Sequence, residues 1–206
     1  MSESSPFPAA LRLVYVVDLA TADRSDHVEQ ALDAGVTCVW LRAPGSTGRE
    51  LYDAAGGLLL RCRRAGAALL VGDRADVALA VGADGVQLGF RSPPADRVRH
   101  WYRGWLGVSC HGAADLRAAE TAGADHATLS PLFGVPEKGR PIGLVEMRHL
   151  MASTGLPVVA LGGIDPTNVA EALATGARGV AAIRAIRDAA DVGKAVRGLL
   201  HAVTSR

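Results

Sequence analysis

A glycine that ends a helix and is followed at once by an apolar strand recurs four times along this chain. The repeats span residues 34–41, 82–88, 123–129 and 176–183. Glycine suits the left-handed residue that terminates a helix, and a short β-branched run is typical of a strand buried on both faces. Helices that alternate with such strands predict a parallel sheet, with functional residues in the loops that leave the carboxyl ends of the strands.

Short apolar runs predict eight strands, at residues 12–17, 37–41, 68–71, 85–88, 106–109, 127–130, 158–161 and 179–183. Helical patterns lie between most of them, and a last helix is predicted from about residue 191 to 203. Eight βα units in 206 residues predict an α/β fold, a single-domain (βα)8 TIM barrel over residues 11–206 behind a flexible tail at residues 1–10. The alternative is a doubly wound open sheet, although no G-x-G-x-x-G motif follows the first strand.

Composition excludes several classes of partner. A formal net charge of +1 argues against binding to nucleic acid or to an anionic membrane surface, and no apolar run is long enough to span a membrane.

The three cysteines (Cys38, Cys62 and Cys110) form no CxxC pair, which fits a reduced cytoplasmic setting. Cys110 would need an activating partner to act as a nucleophile. We therefore expect a cytoplasmic enzyme with a small-molecule substrate. Homodimerisation is left open.

A glycine pair follows the seventh predicted strand. Gly162 and Gly163 have no side chains, so their backbone N–H groups can approach an anion closely. The eighth strand ends at Ile183 and Arg184, which could add backbone and guanidinium contacts. Barrels often bind phosphate in the loops after strands seven and eight, so we predict a phosphate site here, with a plain glycine-rich turn as the alternative.

Polar side chains follow several other strands. Arg42 comes directly after the second strand and is expected at the mouth of the barrel. Asp73 follows the third strand and is predicted either to bind a metal or a substrate amine, or to cap the helix that starts at Ala75. Ser109 and His111 follow the fifth strand. His111 is a candidate general acid or base, with a structural hydrogen bond as the alternative.

The loop at residues 130–143 leaves the sixth strand and is rich in glycine and proline, which predicts a lid over the site. Lys138 lies in this loop and is one of only two lysines in a chain that otherwise uses arginine. It is a candidate to contact phosphate. A Schiff-base lysine, as in barrel aldolases, is expected on a strand rather than in a loop, so we do not favour that role.

Eight short segments follow one another in a recognisable order between about residues 11 and 203. They are residues 39–42 (VWLR), 72–78 (GDRADVA), 83–89 (ADGVQLG), 107–111 (GVSCH), 130–133 (SPLF), Lys138, 162–164 (GGI) and 179–181 (GVA). This ordered set resembles the thiamine phosphate synthase/TenI family. The resemblance implies a (βα)8 barrel of thiamine biosynthesis. Synthases of this family join a thiazole phosphate to an aminopyrimidine diphosphate with Mg²⁺ and release diphosphate.

The resemblance also implies roles for particular residues. The thiazole phosphate would lie on Gly162, Gly163 and the amides near Ile183 and Arg184. The diphosphate would meet Arg42, Lys138 and a metal ion held by Asp73.

Several positions depart from the synthase pattern. The Gln-Leu-Arg-Glu-Lys motif reads Trp40-Leu41-Arg42-Ala43-Pro44 here, so the pyrimidine-binding Gln and the diphosphate-binding Lys are both replaced. The Asn of the Asn-Asp-Arg motif is Gly72, the second metal carboxylate is Ser92, and a Thr of the sixth loop is Glu137. One carboxylate makes a poor Mg²⁺ site unless substrate phosphates supply the other ligands.

These departures favour the TenI branch, a thiazole tautomerase (isomerase) that requires neither diphosphate nor metal. The catalytic His of that branch is Ser130 here, so His111 or Glu137 would have to transfer the proton. The first alternative is a synthase (transferase) that uses Mg²⁺ and a pyrimidine pocket formed around Trp40, although Trp40 is also explained by simple packing. The second alternative is a catalytically silent, phosphoester-binding or regulatory barrel.

Overall fold

Eight parallel strands form a closed barrel in the computed structural model, which describes residues 7–136 and 138–204. The strands are β1 (Leu13–Val17), β2 (Cys38–Leu41), β3 (Ala68–Gly72), β4 (Gly85–Leu88), β5 (Trp105–Cys110), β6 (His126–Leu129), β7 (Val158–Leu161) and β8 (Gly179–Ala182). Each strand pairs with the next, and β8 pairs with β1 through Leu13 and Val180. The (βα)8 prediction is therefore confirmed, and closure excludes the open doubly wound sheet.

Helices follow the strands around the outside of the barrel. They are α1 (Leu19–Asp23), α2 (Ser25–Asp33), α3 (Gly48–Ala65), α4 (Ala75–Val81), α5 (Ala95–Arg99), α6 (Ala113–Thr121), α7 (Gly143–Ala152), α8 (Val169–Leu173), α9 (Arg184–Arg187) and α10 (Val192–Thr204). The glycines that close the four sequence repeats, at positions 35, 82, 123 and 176, all have positive φ angles between 74° and 109°. The repeat was therefore a sound indicator of helix ends.

Two apolar layers surround the strands, because alternate residues of each strand point to opposite faces of the sheet. The outer layer lies between the strands and the helices and includes Tyr15, Leu41 and Leu129. The inner layer fills the barrel and includes Val16, Trp40 and Leu70. Because the inner side chains close the barrel interior, the space open to ligands is confined to its ends.

A polar network crosses the barrel interior below the carboxyl ends of the strands. The Nε2 of His126 lies 3.0 Å from Gln87 Oε1, and Gln87 Nε2 donates to Ser109 Oγ and Thr128 Oγ1 at 3.2 and 3.3 Å. A Cβ at Gly107 would collide with both Gln87 and His126. The network therefore holds β4, β5 and β6 together and positions two hydroxyl groups that face upward into the site.

The structure corrects the predicted boundary of the N-terminal tail at residue 10. A 3₁₀ helix spans Ala9–Leu11, both Ala10 and Leu11 are fully buried, and the Phe7 ring packs 5.2 Å from the Trp105 ring. Residues 7–10 thus cover the end of the barrel at which the strands begin, because their apolar side chains fill the space between the strands. Within the described residues, no helix combines the length and the apolar character needed to cross a bilayer.

Candidate active site

One cavity opens at the carboxyl ends of the strands, and the predicted site residues meet there. All of the candidates that fall within residues 7–136 and 138–204 line it: Trp40, Arg42, Asp73, Ser109, His111, Ser130, Lys138, Gly162, Gly163, Ile183 and Arg184. Glu137 lies outside the described residues. The expectation that functional side chains gather where parallel strands end therefore locates the cavity correctly.

The charge of the cavity lining is strongly positive. Its described lining includes the side chains of Arg42, Arg91, Lys138 and Arg184, against the single carboxylate of Asp73. All four cations are exposed at the mouth of the cavity. Cations that converge on a concave surface attract anionic ligands, so the lining favours a substrate that carries phosphate groups.

The glycine pair after β7 adopts a backbone conformation that side chains would disrupt. Gly162 has a φ of 105° and Gly163 a φ of 66°, and a Cβ at Gly162 would lie 2.7 Å from Pro131 Cα. The loop is held in place by Asn168, whose Nδ2 donates to the Gly163 carbonyl at 2.8 Å. Tight packing against the 130–133 segment thus requires glycine and keeps this wall of the cavity free of side chains.

Asp73 links the end of β3 to the loop after β4. Its Oδ1 accepts hydrogen bonds from Ser92 Oγ at 2.7 Å and from Gly89 N at 3.0 Å, and its backbone has a positive φ of 61°. The helix-capping alternative is therefore wrong: α4 is preceded by Arg74, and its start receives no side-chain capping bond. Asp73 turns toward β4 because the residue at position 92, a serine, offers it a hydroxyl.

Few of the described side chains in this cavity can bind a metal ion. No group of three or more His, Cys, Asp or Glu side chains occurs among the described residues in an arrangement that could hold one. Asp73 Oδ2 accepts no hydrogen bond from the described residues and remains available as one ligand. Mg²⁺ is commonly bound by one or two carboxylates together with substrate phosphates and water. The donor set therefore fits a Mg²⁺ ion that enters with a diphosphate, with Asp73 as its protein ligand.

His111 is oriented by the loop after β6. Its Nδ1 lies 2.7 Å from the carbonyl oxygen of Ser130, which can only accept, so Nδ1 carries the proton and donates it. A neutral imidazole in this position keeps Nε2 as an unprotonated acceptor. The structure thus joins His111 to Ser130 through this hydrogen bond.

Cys110, the neighbour of His111, lies on the opposite face of β5. It is buried in the outer apolar layer, and burial raises the pKa of its thiol to about 12. A thiol of that pKa is protonated near neutral pH, so Cys110 is no nucleophile.

Trp40 and Gly72 lie side by side on β2 and β3. A Cβ at Gly72 would lie 3.2 Å from Trp40 Nε1 and 3.0 Å from the Leu41 carbonyl oxygen. Trp40 Nε1 is buried and has no hydrogen-bond partner among the described residues. The two replacements in the synthase motifs are therefore neighbours, and a side chain at position 72 would press on both the indole nitrogen and the Leu41 carbonyl.

The loop after β4 contributes residues that motif analysis missed. Phe90 and Arg91 line the cavity, Phe90 is 87% exposed, and the Arg91 guanidinium lies 5.4 Å from the centre of the Phe90 ring. Their position two and three residues after Leu88, directly beyond the carboxyl end of β4, is the sequence signal that indicates them.

The fold and the cavity define a class: single-domain (βα)8 barrels whose carboxyl-end cavity combines a glycine-built loop with several cationic side chains. Residues 13–186 match the family model described as thiamine monophosphate synthase, and the chain belongs to this family.

Relatives agree over most of the chain. It is 42% identical to a putative thiamine-phosphate synthase of Geobacter sulfurreducens, over 87% of this chain and 86% of that one. It is 40% identical to the thiamine-phosphate synthase of Moorella thermoacetica, over 86% and 87%. Among solved structures, the thiamine phosphate pyrophosphorylase of Pyrococcus furiosus superposes with a TM-score of 0.89 at 35% identity, over 96% of this chain and 97% of that one.

Proposed function

We propose that this chain is a thiamine phosphate synthase, a transferase that joins a thiazole phosphate to an aminopyrimidine diphosphate. Relatives at 42% and 40% identity carry the name thiamine-phosphate synthase, which favours this alternative over the TenI-like tautomerase that the lost motif residues suggested. An enzyme can keep its activity after single substrate-binding side chains are replaced, provided that the remaining groups still stabilise the transition state.

The observation that carries the proposal is the presence of two anion-attracting ends in one cavity. The glycine loop after β7 and the residues 183–184 after β8 form one end. Arg42 and Arg91, after β2 and β4, form the other end, and Asp73 after β3 lies between them as the proposed metal ligand. By strand order, β3 lies opposite β7. A single phosphate needs only one such end, whereas a phosphate and a diphosphate bound together need both.

In the proposed reaction, these groups stabilise the departing diphosphate. The carbon–oxygen bond to the diphosphate breaks, and the thiazole ring nitrogen supplies the electron pair for the new carbon–nitrogen bond. Negative charge builds on the departing diphosphate, so fixed or mobile cations close to it lower the barrier. Arg42, Arg91 and Lys138 are the cations proposed for this role, while the glycine loop orients the thiazole phosphate.

Mg²⁺ bound with the diphosphate would neutralise part of its charge, and Asp73 is the proposed protein ligand. Ser92 and Gly89 hold the Asp73 carboxylate in place through Oδ1, so that Oδ2 faces the ligand without reorganisation. Ser109 and Ser130, at the ends of β5 and β6, also line the cavity, and they can hydrogen-bond the thiazole ring substituents.

The test is release of diphosphate from the two substrates with and without Mg²⁺, measured with Lys138→Met and a matched control. Lys194, the other lysine of the chain, lies exposed on α10 outside the cavity lining. We expect Mg²⁺-dependent release by the wild type, a loss of about tenfold or more in kcat/KM for Lys138→Met, and a change below about twofold for Lys194→Met. Absence of diphosphate release by the wild type refutes the proposal.

A thiazole tautomerase is the second candidate, and the orientation of His111 supports it. Nδ1 is engaged by the Ser130 carbonyl, so Nε2 is left to exchange a proton with a ligand in the cavity. This candidate predicts proton exchange into the thiazole phosphate without metal, and loss of that exchange in His111→Asn. Binding of the thiazole phosphate with neither exchange nor diphosphate release would instead support a silent barrel.

A further inference from the structure

Apart from the exposed Arg42, the side of the cavity formed by β1 and β2 is apolar. Val16, Trp40 and Pro44 line it, and we name these three residues the apolar wall. Val16 and Trp40 are register partners on adjacent strands and both point into the barrel interior. By contrast, the side formed by β5 and β6 carries the hydroxyl groups of Ser109 and Thr128.

Trp40 offers no accessible polar atom to the cavity. The residue is 6% exposed, and its only polar side-chain atom, Nε1, is fully covered and faces Gly72. The side-chain surface that the apolar wall presents at Trp40 is therefore hydrocarbon. Gly72, the inward residue at the end of the next strand, has no side chain with which to restore a polar contact.

The proposed function places a ring against this wall. Arg42, Asp73 and Arg91, three of the residues assigned to diphosphate, follow β2, β3 and β4, so the ring attached to the diphosphate lies on the same side of the barrel. A ring that touches this hydrocarbon surface is held by dispersion, which responds to the shape of the ring and not to its hydrogen-bonding groups.

We propose that the Trp40–Gly72 pair makes the second-substrate subsite selective for the shape of a heteroaromatic ring but indifferent to its exocyclic amino group. This inference rests on the proposed function. An apolar pocket discriminates weakly between rings of similar shape, whereas a site built to hydrogen-bond a substrate group rejects analogues that lack the group by orders of magnitude. The chain would thus accept diphosphates of six-membered nitrogen heterocycles with either an amino group or a hydrogen at that position.

The test compares the dissociation constants of the aminopyrimidine diphosphate and of its analogue without the amino group, by titration calorimetry in Mg²⁺. Binding is measured because the amino group also changes the intrinsic reactivity of the ring. We expect the two constants to differ by less than tenfold in the wild type. Trp40→Ala should weaken both ligands by a similar factor, about tenfold, since it removes apolar contact surface common to them.

Two further variants make the test specific. The double variant Trp40→Gln/Gly72→Asn restores polar side chains at both positions and should raise the preference for the amino compound by tenfold or more. Trp101→Phe changes an indole outside the cavity lining and should leave both constants unchanged. Thermal melts and thiazole phosphate binding check that each variant is folded.

The outcomes separate the inference from the proposed function. A wild-type preference of tenfold or more for the amino compound overturns the inference, even if thiamine phosphate is formed. Similar binding of both compounds without product formation supports the inference and overturns the synthase. Binding of neither compound by the folded wild type overturns both.

Discussion

Protonation of His126 should destabilise the barrel as the pH falls. The imidazole is fully buried, its Nε2 faces Gln87 Oε1 at 3.0 Å, and its Nδ1 has no partner among the described residues. Nε2 therefore carries the proton of the neutral ring, and a second proton on Nδ1 would be buried without an acceptor. Burial accordingly lowers the pKa of His126 to about 4, from an ordinary value of 6.5.

The sign and size of the effect follow from these two pKa values. Between pH 6.5 and 4 the unfolded chain binds a proton that the folded chain does not, so falling pH favours unfolding. One pKa unit corresponds to about 1.4 kcal/mol, which gives a loss of about 2 kcal/mol at pH 5 and about 3 kcal/mol once the pH is below 4. Above pH 6.5 this contribution to stability is constant.

Urea unfolding at a series of pH values from 7.5 to 4.5 measures this loss. His126→Gln removes the titrating group but keeps a side-chain amide that can donate to Gln87, and its free energy of unfolding should fall less with pH than that of the wild type by about 2 kcal/mol at pH 5. His149→Gln, at an exposed position of α7, is the matched control and should follow the wild type. Equal pH dependence of wild type and His126→Gln would refute the assignment.

Three further predictions concern the cavity. Asp73→Asn keeps an oxygen that accepts hydrogen bonds from Ser92 and Gly89, so the melting temperature should change little. Because the charge is lost, the Mg²⁺ concentration for half-maximal velocity should rise about tenfold. An unchanged Mg²⁺ requirement would contradict the role of Asp73. Gly162→Ala should cost about 2 kcal/mol or more in urea unfolding, because of its φ of 105° and the contact with the 130–133 segment. Arg91→Gln should weaken binding of inorganic diphosphate about tenfold in calorimetry, and the exposed Arg97→Gln on α5 should not.

The strand boundaries were predictable because each strand is a short apolar run bounded by polar residues and glycines. Every predicted strand overlaps the observed one, with ends that differ by at most one residue, as in 12–17 against Leu13–Val17. The short helices were harder. The sequence pattern after the seventh strand predicts a helix over residues 167–175, but the observed helix is only Val169–Leu173. Thr167 N and Oγ1 both donate to Asp165 Oδ1 in a turn before it.

Single motif positions were a weaker guide to whether the chain resembles the synthases or the TenI-like tautomerases. Relative to the synthase motifs, glutamine is absent at position 40 and asparagine is absent at position 72. Taken as two independent losses, these differences favoured the TenI-like activity. In the structure the two positions are neighbours, so the residue at one position restricts the residue that fits at the other. Similarly, Ser92 replaces a metal carboxylate in the motif, but in the structure its hydroxyl supports the carboxylate that remains.

The sequence by itself determined the barrel, its single-domain organisation and the edge at which the site lies, because periodicity, helix-ending glycines and strand count are local properties. Only the tertiary structure decided which side chains share that edge: Asp73 with Ser92, His111 with the Ser130 carbonyl, and Trp40 with Gly72. These pairs come from different βα units. Their contacts depend on the register and closure of the sheet, which place residues from distant parts of the chain within hydrogen-bonding or packing distance.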